Sequence, residues 1–161
     1  MLEIERKFLV KAVPDMANYN VTEIEQSYLS FSPEIRIRKK GTKYFITKKS
    51  EGTEVREEIE FEIDDMTYEI LSNLITGRTI RKLRVEIPLS DSAIAELDVY
   101  QDDLEGLFTV EIEFETEEQA NEFVLPDWFG LEVTEDLRYK NKNLARSNDI
   151  HNLITEKTYK K

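Results

Sequence analysis

Residues 1–10 read M-L-E-I-E-R-K-F-L-V, and the meaning of the whole chain turns on this stretch. Successive strand side chains point to opposite sides, so Glu3, Glu5 and Lys7 share one face. Leu2, Ile4 and Phe8 take the other face, with Arg6 among them. A half-buried strand hides its apolar face and leaves the charged one in water. Alone, the stretch is a strongly amphipathic strand. What it does depends on what the rest of the chain sets against its charges.

The same alternation returns along the sequence. Residues 22–31 read as a second strand, with Pro33 in the break after it. Residues 34–40 set Arg36 and Arg38 against Ile35 and Ile37, and Gly41-Thr42 makes a tight connection. Residues 43–49 put Lys43, Phe45, Thr47 and Lys49 on one side, and the chain turns at Gly52. The longest alternation follows over 54–63, with Val55, Ile59, Phe61 and Ile63 opposite Arg56, Glu58, Glu60 and Glu62, broken only by Glu57. Residues 79–87 group Lys82, Arg84 and Glu86; 93–100 group Glu96 and Asp98; 107–115 group Glu111, Glu113 and Glu115.

Helical spacing interrupts this pattern twice. Asp64 is an N-cap type and predicts a helix over 65–75, with Gly77 closing it. Thr116 caps a short acidic helix to about Phe123. Residues 88–92 and 104–106 read as loop and turn, and 126–130 as a connector. Trp128, Phe129 and Leu131 are expected as core contacts of a terminal helix, because buried aromatics supply large apolar area. That helix is expected from Thr134 through Ala145, and again over 149–157, with a frayed tail at 158–161.

With 161 residues, 40% of them hydrophobic, the chain is long enough for one domain with a real core. No apolar run approaches a membrane span. No basic and apolar leader precedes the first strand, so a cytoplasmic protein is the default expectation. Cysteine is absent, which excludes disulfides and thiolate metal sites. The net charge of -12 argues against a nucleic-acid partner, whose affinity rests on neutralised phosphates. The lone histidine, His151, lacks partners for a catalytic or metal role and is expected at the surface.

Two architectures fit about eight amphipathic strands. One is a sheet or sandwich with a solvated charged face. The other is a closed barrel with charges inside and apolar residues outside, under the helices. The charges favour the second reading, because they are sorted by strand. Basic pairs stand at Arg36/Arg38 and Lys82/Arg84, acidic ones at Glu3/Glu5 and Glu111/Glu113. Rows of cations suit a polyanion, and paired carboxylates suit a hard divalent cation that also binds phosphate.

These residues in this order resemble the CYTH superfamily, the triphosphate tunnel metalloenzymes. The opening E-I-E-R-K resembles that family's E-x-E-x-K signature, and the likeness runs on through Tyr28-Leu29, R-I-R, T-K-K, R-E-E-I-E, K-L-R, E-L-D-V-Y and E-I-E. It ends with L-P-D-W-F-G-L-E-V-T and R-Y-K-N-K-N-L-A, near residue 146. Val85 departs from it, standing where the family often has tyrosine.

The resemblance implies an α+β protein built on an eight-stranded antiparallel closed β-barrel, the triphosphate tunnel, with a charged interior and helices packed outside. Residues 1–146 would form the tunnel domain and 147–161 a helical extension. Lys7, Arg36, Arg38, Lys49, Arg56, Lys82 and Arg84 would grip the phosphates. Glu3, Glu5, Glu111 and Glu113 would hold Mg²⁺ or Mn²⁺, with Glu58, Glu60 and Asp98 as further metal ligands. Lys7, Glu5 and Arg56 are the expected catalytic residues, and Arg138 and Lys140 stand where a terminal helix could plug the tunnel. The implied activity is hydrolysis of tripolyphosphate to pyrophosphate and phosphate. Hydrolysis of thiamine triphosphate or a nucleotide such as ATP, class IV adenylyl cyclase chemistry, and polyphosphate binding without turnover are the alternatives. No membrane partner is expected, and the sequence is silent on assembly.

Overall fold

A computed structural model describes residues 2–89 and 92–156. Nine strands run in order: β1 (Leu2–Val10), β2 (Asn20–Phe31), β3 (Glu34–Lys40), β4 (Lys43–Lys49), β5 (Val55–Ile63), β6 (Thr76–Pro88), β7 (Ile94–Tyr100), β8 (Phe108–Phe114) and β9 (Phe129–Glu132). The helices are α1 (Asp65–Ser72), α2 (Glu117–Glu122), α3 (Asn141–Arg146) and α4 (His151–Glu156). Eight strands follow the order β5-β4-β3-β2-β6-β7-β8-β1, all antiparallel, and β1 pairs back onto β5 to close the barrel.

Closure is narrow. β1 meets β5 only through Leu2↔Glu57, Glu3↔Arg56 and Ile4↔Val55. Farther along β1, the same edge is taken by β9 at Phe8↔Glu132 and Val10↔Phe129. The other edge of β1 is fully engaged by β8 from Ile4 to Leu9. The first strand therefore holds the seam, and its charged face points inward with those of its neighbours. Lys7, Arg36, Arg38, Lys49, Arg56, Lys82, Arg84, Asp98 and Glu111 are all buried. The inverted reading is the one the chain adopts.

The apolar residues sort into two clusters. Phe8, Val10, Val85, Leu97, Val110 and Ile112 form an outer layer on β1 and β6–β8. It is covered by α2 and by an aromatic chain in which Phe129 meets Phe8 at 5.0 Å and Trp128 at 4.7 Å. Trp128 and Phe129 therefore pack on the barrel wall through β9, not against a terminal helix, and Leu131 is exposed. The connector expected at 126–130 runs into a strand because Phe129 can bury there while β1 still has a free edge.

The second cluster seals one end of the barrel. Tyr28, Ile80 and Tyr100 continue the inward rows of β2, β6 and β7, and they meet Leu9, Leu107, Val133, Tyr139 and Leu144. Burying Leu144 alone contributes roughly 1.5–3 kcal/mol. The sealing segment is not the continuous helix expected from Thr134. Val133 donates its N–H to the Lys7 carbonyl, Leu137–Tyr139 form a 3-10 turn capped by Asp136, and Lys140 is extended before α3 begins. Backbone bonds to β1 and an Asp cap win over helical propensity here.

α1 starts at the expected cap, Asp64 accepting from the Thr67 N–H at 2.8 Å, but it ends at Ser72. Gly77 does not close it; Gly77 lies inside β6 with φ of 75°. A Cβ there would stand 2.6 Å from the Ala145 carbonyl oxygen, so the glycine serves close approach of α3. The outer apolar rows are not all covered: α1 buries no residue, and Ile59 and Phe61 on β5 are exposed. The loop expected over 88–92 falls partly on residues 90 and 91, outside the described residues, as does the 158–161 tail. His151 is exposed at the start of α4.

Candidate active site

The barrel interior holds a cavity of about 270 Å³ whose wall is almost wholly ionic. One end is stopped by the Tyr28–Tyr139 cluster, so the tunnel has a single charged mouth. Period two places Arg36 and Arg38 on β3 beside Thr47 and Lys49 on β4, and these beside Glu58 and Glu60 on β5. Across the barrel, Lys82 and Arg84 on β6 adjoin Asp98 and Glu96 on β7, then Glu111 on β8 and Lys7 on β1. Every candidate named from the sequence, except Arg138, faces this cavity or the charge network around it.

Each cation is held by a carboxylate. Lys49 Nζ lies 3.0 Å from Glu3 and 3.7 Å from Glu58. Arg38 donates to Glu60 at 3.2 Å, and Thr47 donates to the same oxygen at 2.7 Å. Lys7 donates to the Tyr139 carbonyl at 2.8 Å and lies 3.6 Å from Glu111. Asp98 is completely engaged: Lys82 Nζ approaches at 2.8 Å, and Arg84 binds both oxygens at 2.9 and 3.0 Å. This geometry makes Asp98 the group that positions Lys82 and Arg84, and Glu60 the group that positions Arg38. Asp98 thus has both oxygens engaged, whereas Glu60 receives both of its bonds on one oxygen.

Crowding shows in the protonation equilibria. Burial lowers Arg38 to about 10, with Arg36 and Arg84 adding to the effect. Burial lowers Lys82 to about 8, opposed by Asp98 and reinforced by Arg84. Burial would raise the Asp98 carboxyl, but Arg84 and Lys82 outweigh it and hold it well below the usual range. Burial, together with Glu111 and Glu3, pushes the Glu5 carboxyl up to about 8 despite Lys49 and Lys7. Glu113, the Cα partner of Glu5 across the β1–β8 pair, is raised by burial and by Glu3, Glu96 and Glu58.

Two kinds of counter-ligand relieve this crowding. The buried Nε groups of Arg36, Arg38 and Arg56 have no hydrogen-bond acceptor, which suits an oxyanion with several oxygens. Glu5 is repelled by Glu111 and Glu3, and Glu113 by Glu3, Glu96 and Glu58, which suits a cation. Among the described residues no three acidic or histidine side chains already form a metal cage. A hard divalent cation needs only one or two carboxylates where water and phosphate supply its remaining ligands. Glu5 and Glu113 would hold it, with Glu3 and Glu111 beside them.

Glu34 is the residue the sequence reading missed. It is buried at the start of β3, and Arg56 donates to it at 3.0 Å while lying 3.9 Å from Glu5. Its place on the Arg36/Arg38 face was the signal that could have found it. Glu34→Gln is expected to lower kcat about tenfold by releasing Arg56, with the KM for substrate changed less. Steady-state kinetics check this, and equal losses in both parameters would refute it. Arg138 is chelated by Asp136 at 2.7 Å and stays half exposed, whereas Lys140 lines the cavity and donates to the Gly52 carbonyl.

Residues 1–147 match the profile of the CYTH domain. The chain belongs to the CYTH family. Its barrel is 47% identical over 150 residues to an inorganic triphosphatase of Nitrosomonas europaea, covering 91% of this chain and 99% of that protein. An inorganic triphosphatase of Acetivibrio thermocellus is 34% identical over 149 residues, covering 90% and 94%. The crystal structure of the inorganic triphosphatase NE1496 superposes on this CYTH chain with a TM-score of 0.69 at 44% identity, covering 90% and 95%. CYTH triphosphatases are metal-dependent, in keeping with the acidic crowding around Glu5. Among the described residues no helix is long and apolar enough to cross a membrane.

Proposed function

We propose that this CYTH protein is an inorganic triphosphatase that hydrolyses tripolyphosphate to pyrophosphate and phosphate with Mg²⁺ or Mn²⁺. The observation that carries the reading is the lining of the cavity. Tyr28 is its one aromatic member and Val133 its one aliphatic member among the described residues. Such a wall can neutralise a bare phosphate chain but offers little to stack a base or a thiamine ring. Hydrolysis of ATP or thiamine triphosphate would leave the organic group outside the mouth.

Phosphoryl transfer needs positioning and charge stabilisation more than covalent help. Arg36 and Arg38 on β3, Lys49 on β4, and Lys82 and Arg84 on β6 line the cavity and would fix the chain along it. Lys7 and Arg56 are held near the carboxylate Glu5 and would face the reacting phosphoryl group as fixed donors. When bound, the divalent ion neutralises phosphate charge and makes water a better nucleophile.

The deciding assay is phosphate release from tripolyphosphate, ATP and thiamine triphosphate with Mg²⁺, with Mn²⁺ and with chelator. Metal-dependent release strongly favouring tripolyphosphate is expected. Preference for an organic triphosphate, or release in chelator, overturns the reading.

A pH dependence follows from Glu5. Below about pH 4.5 its carboxyl is protonated both folded and unfolded; between 4.5 and 8 the unfolded chain loses the proton while the fold keeps it. Its contribution to the stability of the metal-free protein is therefore lost as pH rises through about 8. Metal must displace that proton, so metal affinity is expected to rise from pH 6 to 8.5. Thermal midpoints with and without Mg²⁺ test this, the gain on adding metal being larger at the higher pH.

A further inference from the structure

Among the described residues the cavity wall carries four neutral polar side chains: Tyr28, Thr53, Thr134 and Asn141. Both threonines are already engaged as donors, Thr53 to Glu135 at 2.6 Å and Thr134 to Glu132 at 2.6 Å. The Tyr28 hydroxyl accepts from Gln26 at 3.3 Å, and its ring belongs to the apolar cluster at the sealed end. Asn141 is held differently, from behind and by its oxygen. Tyr100 donates its hydroxyl proton to Asn141 Oδ1 at 2.7 Å.

Tyr100 is itself fixed. It is 1% exposed on β7, two positions beyond Asp98 on the inward row. Its ring lies 5.4 Å from the Lys82 ammonium. Burial, with the charges of Asp98 and Glu111, raises its hydroxyl well above the usual phenol range, so the proton stays in place for donation. An amide whose oxygen accepts has only its NH₂ left to offer. Among the described residues nothing accepts from that NH₂, and the side chain lines the cavity.

We propose that Asn141 is a substrate-binding residue, its amide N–H donating to the phosphate oxygens nearest the sealed end, and that Tyr100 positions it. This role rests on the phosphate-binding part of the function proposed above. Most donors of the wall are cations held by carboxylates, and they offset charge along the whole phosphate chain. A neutral amide recognises an oxygen by direction instead. Tyr100 belongs to the sealing cluster with Tyr139 and Leu144, so a chain entering at the mouth reaches Asn141 last. The amide would therefore seat the innermost phosphoryl group.

Calorimetric binding of tripolyphosphate to the full chain tests this, in chelator so that no turnover intervenes. Asn141→Ala is expected to weaken binding about tenfold or more, the scale of a lost hydrogen bond to a charged group. Tyr100→Phe keeps the ring beside Lys82 and is expected to weaken binding about threefold. On top of Asn141→Ala it should add nothing, because the hydroxyl acts through the amide. Asn141→Asp keeps the acceptor for Tyr100 but lacks the N–H, so it should bind no better than alanine. It also serves if alanine disturbs the circular dichroism. Unchanged binding by Asn141→Ala, parent-like binding by Asn141→Asp, additive losses in the double variant, or no binding by the parent overturns the proposal. Hydrolysis by the parent with Mg²⁺ is measured separately. A parent that binds through Asn141 without cleaving would overturn the triphosphatase reading and support this one.

Discussion

Glu5→Gln is expected to lower metal-dependent tripolyphosphate hydrolysis by about 10²–10³-fold, the scale seen when one preorganised charge-stabilising group is removed. The reason lies in the position of the carboxylate. Glu5 is half-buried beside Glu3, Glu111 and its strand partner Glu113, and among the described residues no cation approaches it more closely than Arg56 at 3.9 Å. Its negative charge is costly without metal and necessary with it. Glutamine matches the protonated form that the metal-free protein holds at neutral pH. The variant should therefore fold as well as the parent and melt no earlier in chelator. What it should lose is the rise in thermal midpoint on adding Mg²⁺, together with turnover. Full activity in the variant would remove Glu5 from the metal site.

Asp98→Asn should be the most destabilising conservative change in the chain. Asp98 is 1% exposed, and its two oxygens neutralise Lys82, itself 1% exposed, and Arg84. Removing one partner from a buried ion network leaves charge uncompensated and costs about 3–5 kcal/mol. At roughly 2–4 °C per kcal/mol for a chain of this size, the midpoint should fall by about 6–20 °C. Glu132→Gln is the control. It breaks the pair with Arg6 at 2.7 Å, but Glu132 is 37% exposed, and such pairs contribute about 1 kcal/mol or less. A calorimetric comparison reads both. Equal small shifts would mean that the Lys82–Asp98–Arg84 cluster is hydrated in solution. The same variant should also weaken substrate binding, because Arg84 and Lys82 lose the carboxylate that aims them.

The strands were legible because period two is a local signal, carried by residues such as Arg36/Ile37/Arg38 whatever the rest of the chain does. The cap at Asp64 was legible for the same reason. Misreadings came from places where distant contacts overrule local preference, as in the helix expected from Thr134, which backbone bonds to β1 broke up. Phe129–Glu132 became a strand because β1 offered a free edge, and Gly77 stayed in β6 because α3 passes over it. Neither contact leaves a mark in neighbouring sequence. The site divides in the same way. The strand faces alone marked which charged residues point together, but Glu34 went unseen, because its role depends on Arg56 from another strand.

By itself, the sequence determined that nearly every strand carries one apolar and one ionic face, and that the cation pairs Arg36/Arg38 and Lys82/Arg84 stand on different strands from the carboxylate pairs Glu3/Glu5 and Glu111/Glu113. Those are properties of side-chain order along an extended backbone. Only the tertiary structure decided which face is inside, which carboxylates anchor arginine and which are left crowded, and that one end of the tunnel is shut. Those outcomes depend on the closing pairs between β1 and β5 and on the Val133–Leu144 segment packed across the barrel end. Closure takes the charged face out of water, and once it is there each charge is stabilised or strained by whichever neighbour the register sets beside it.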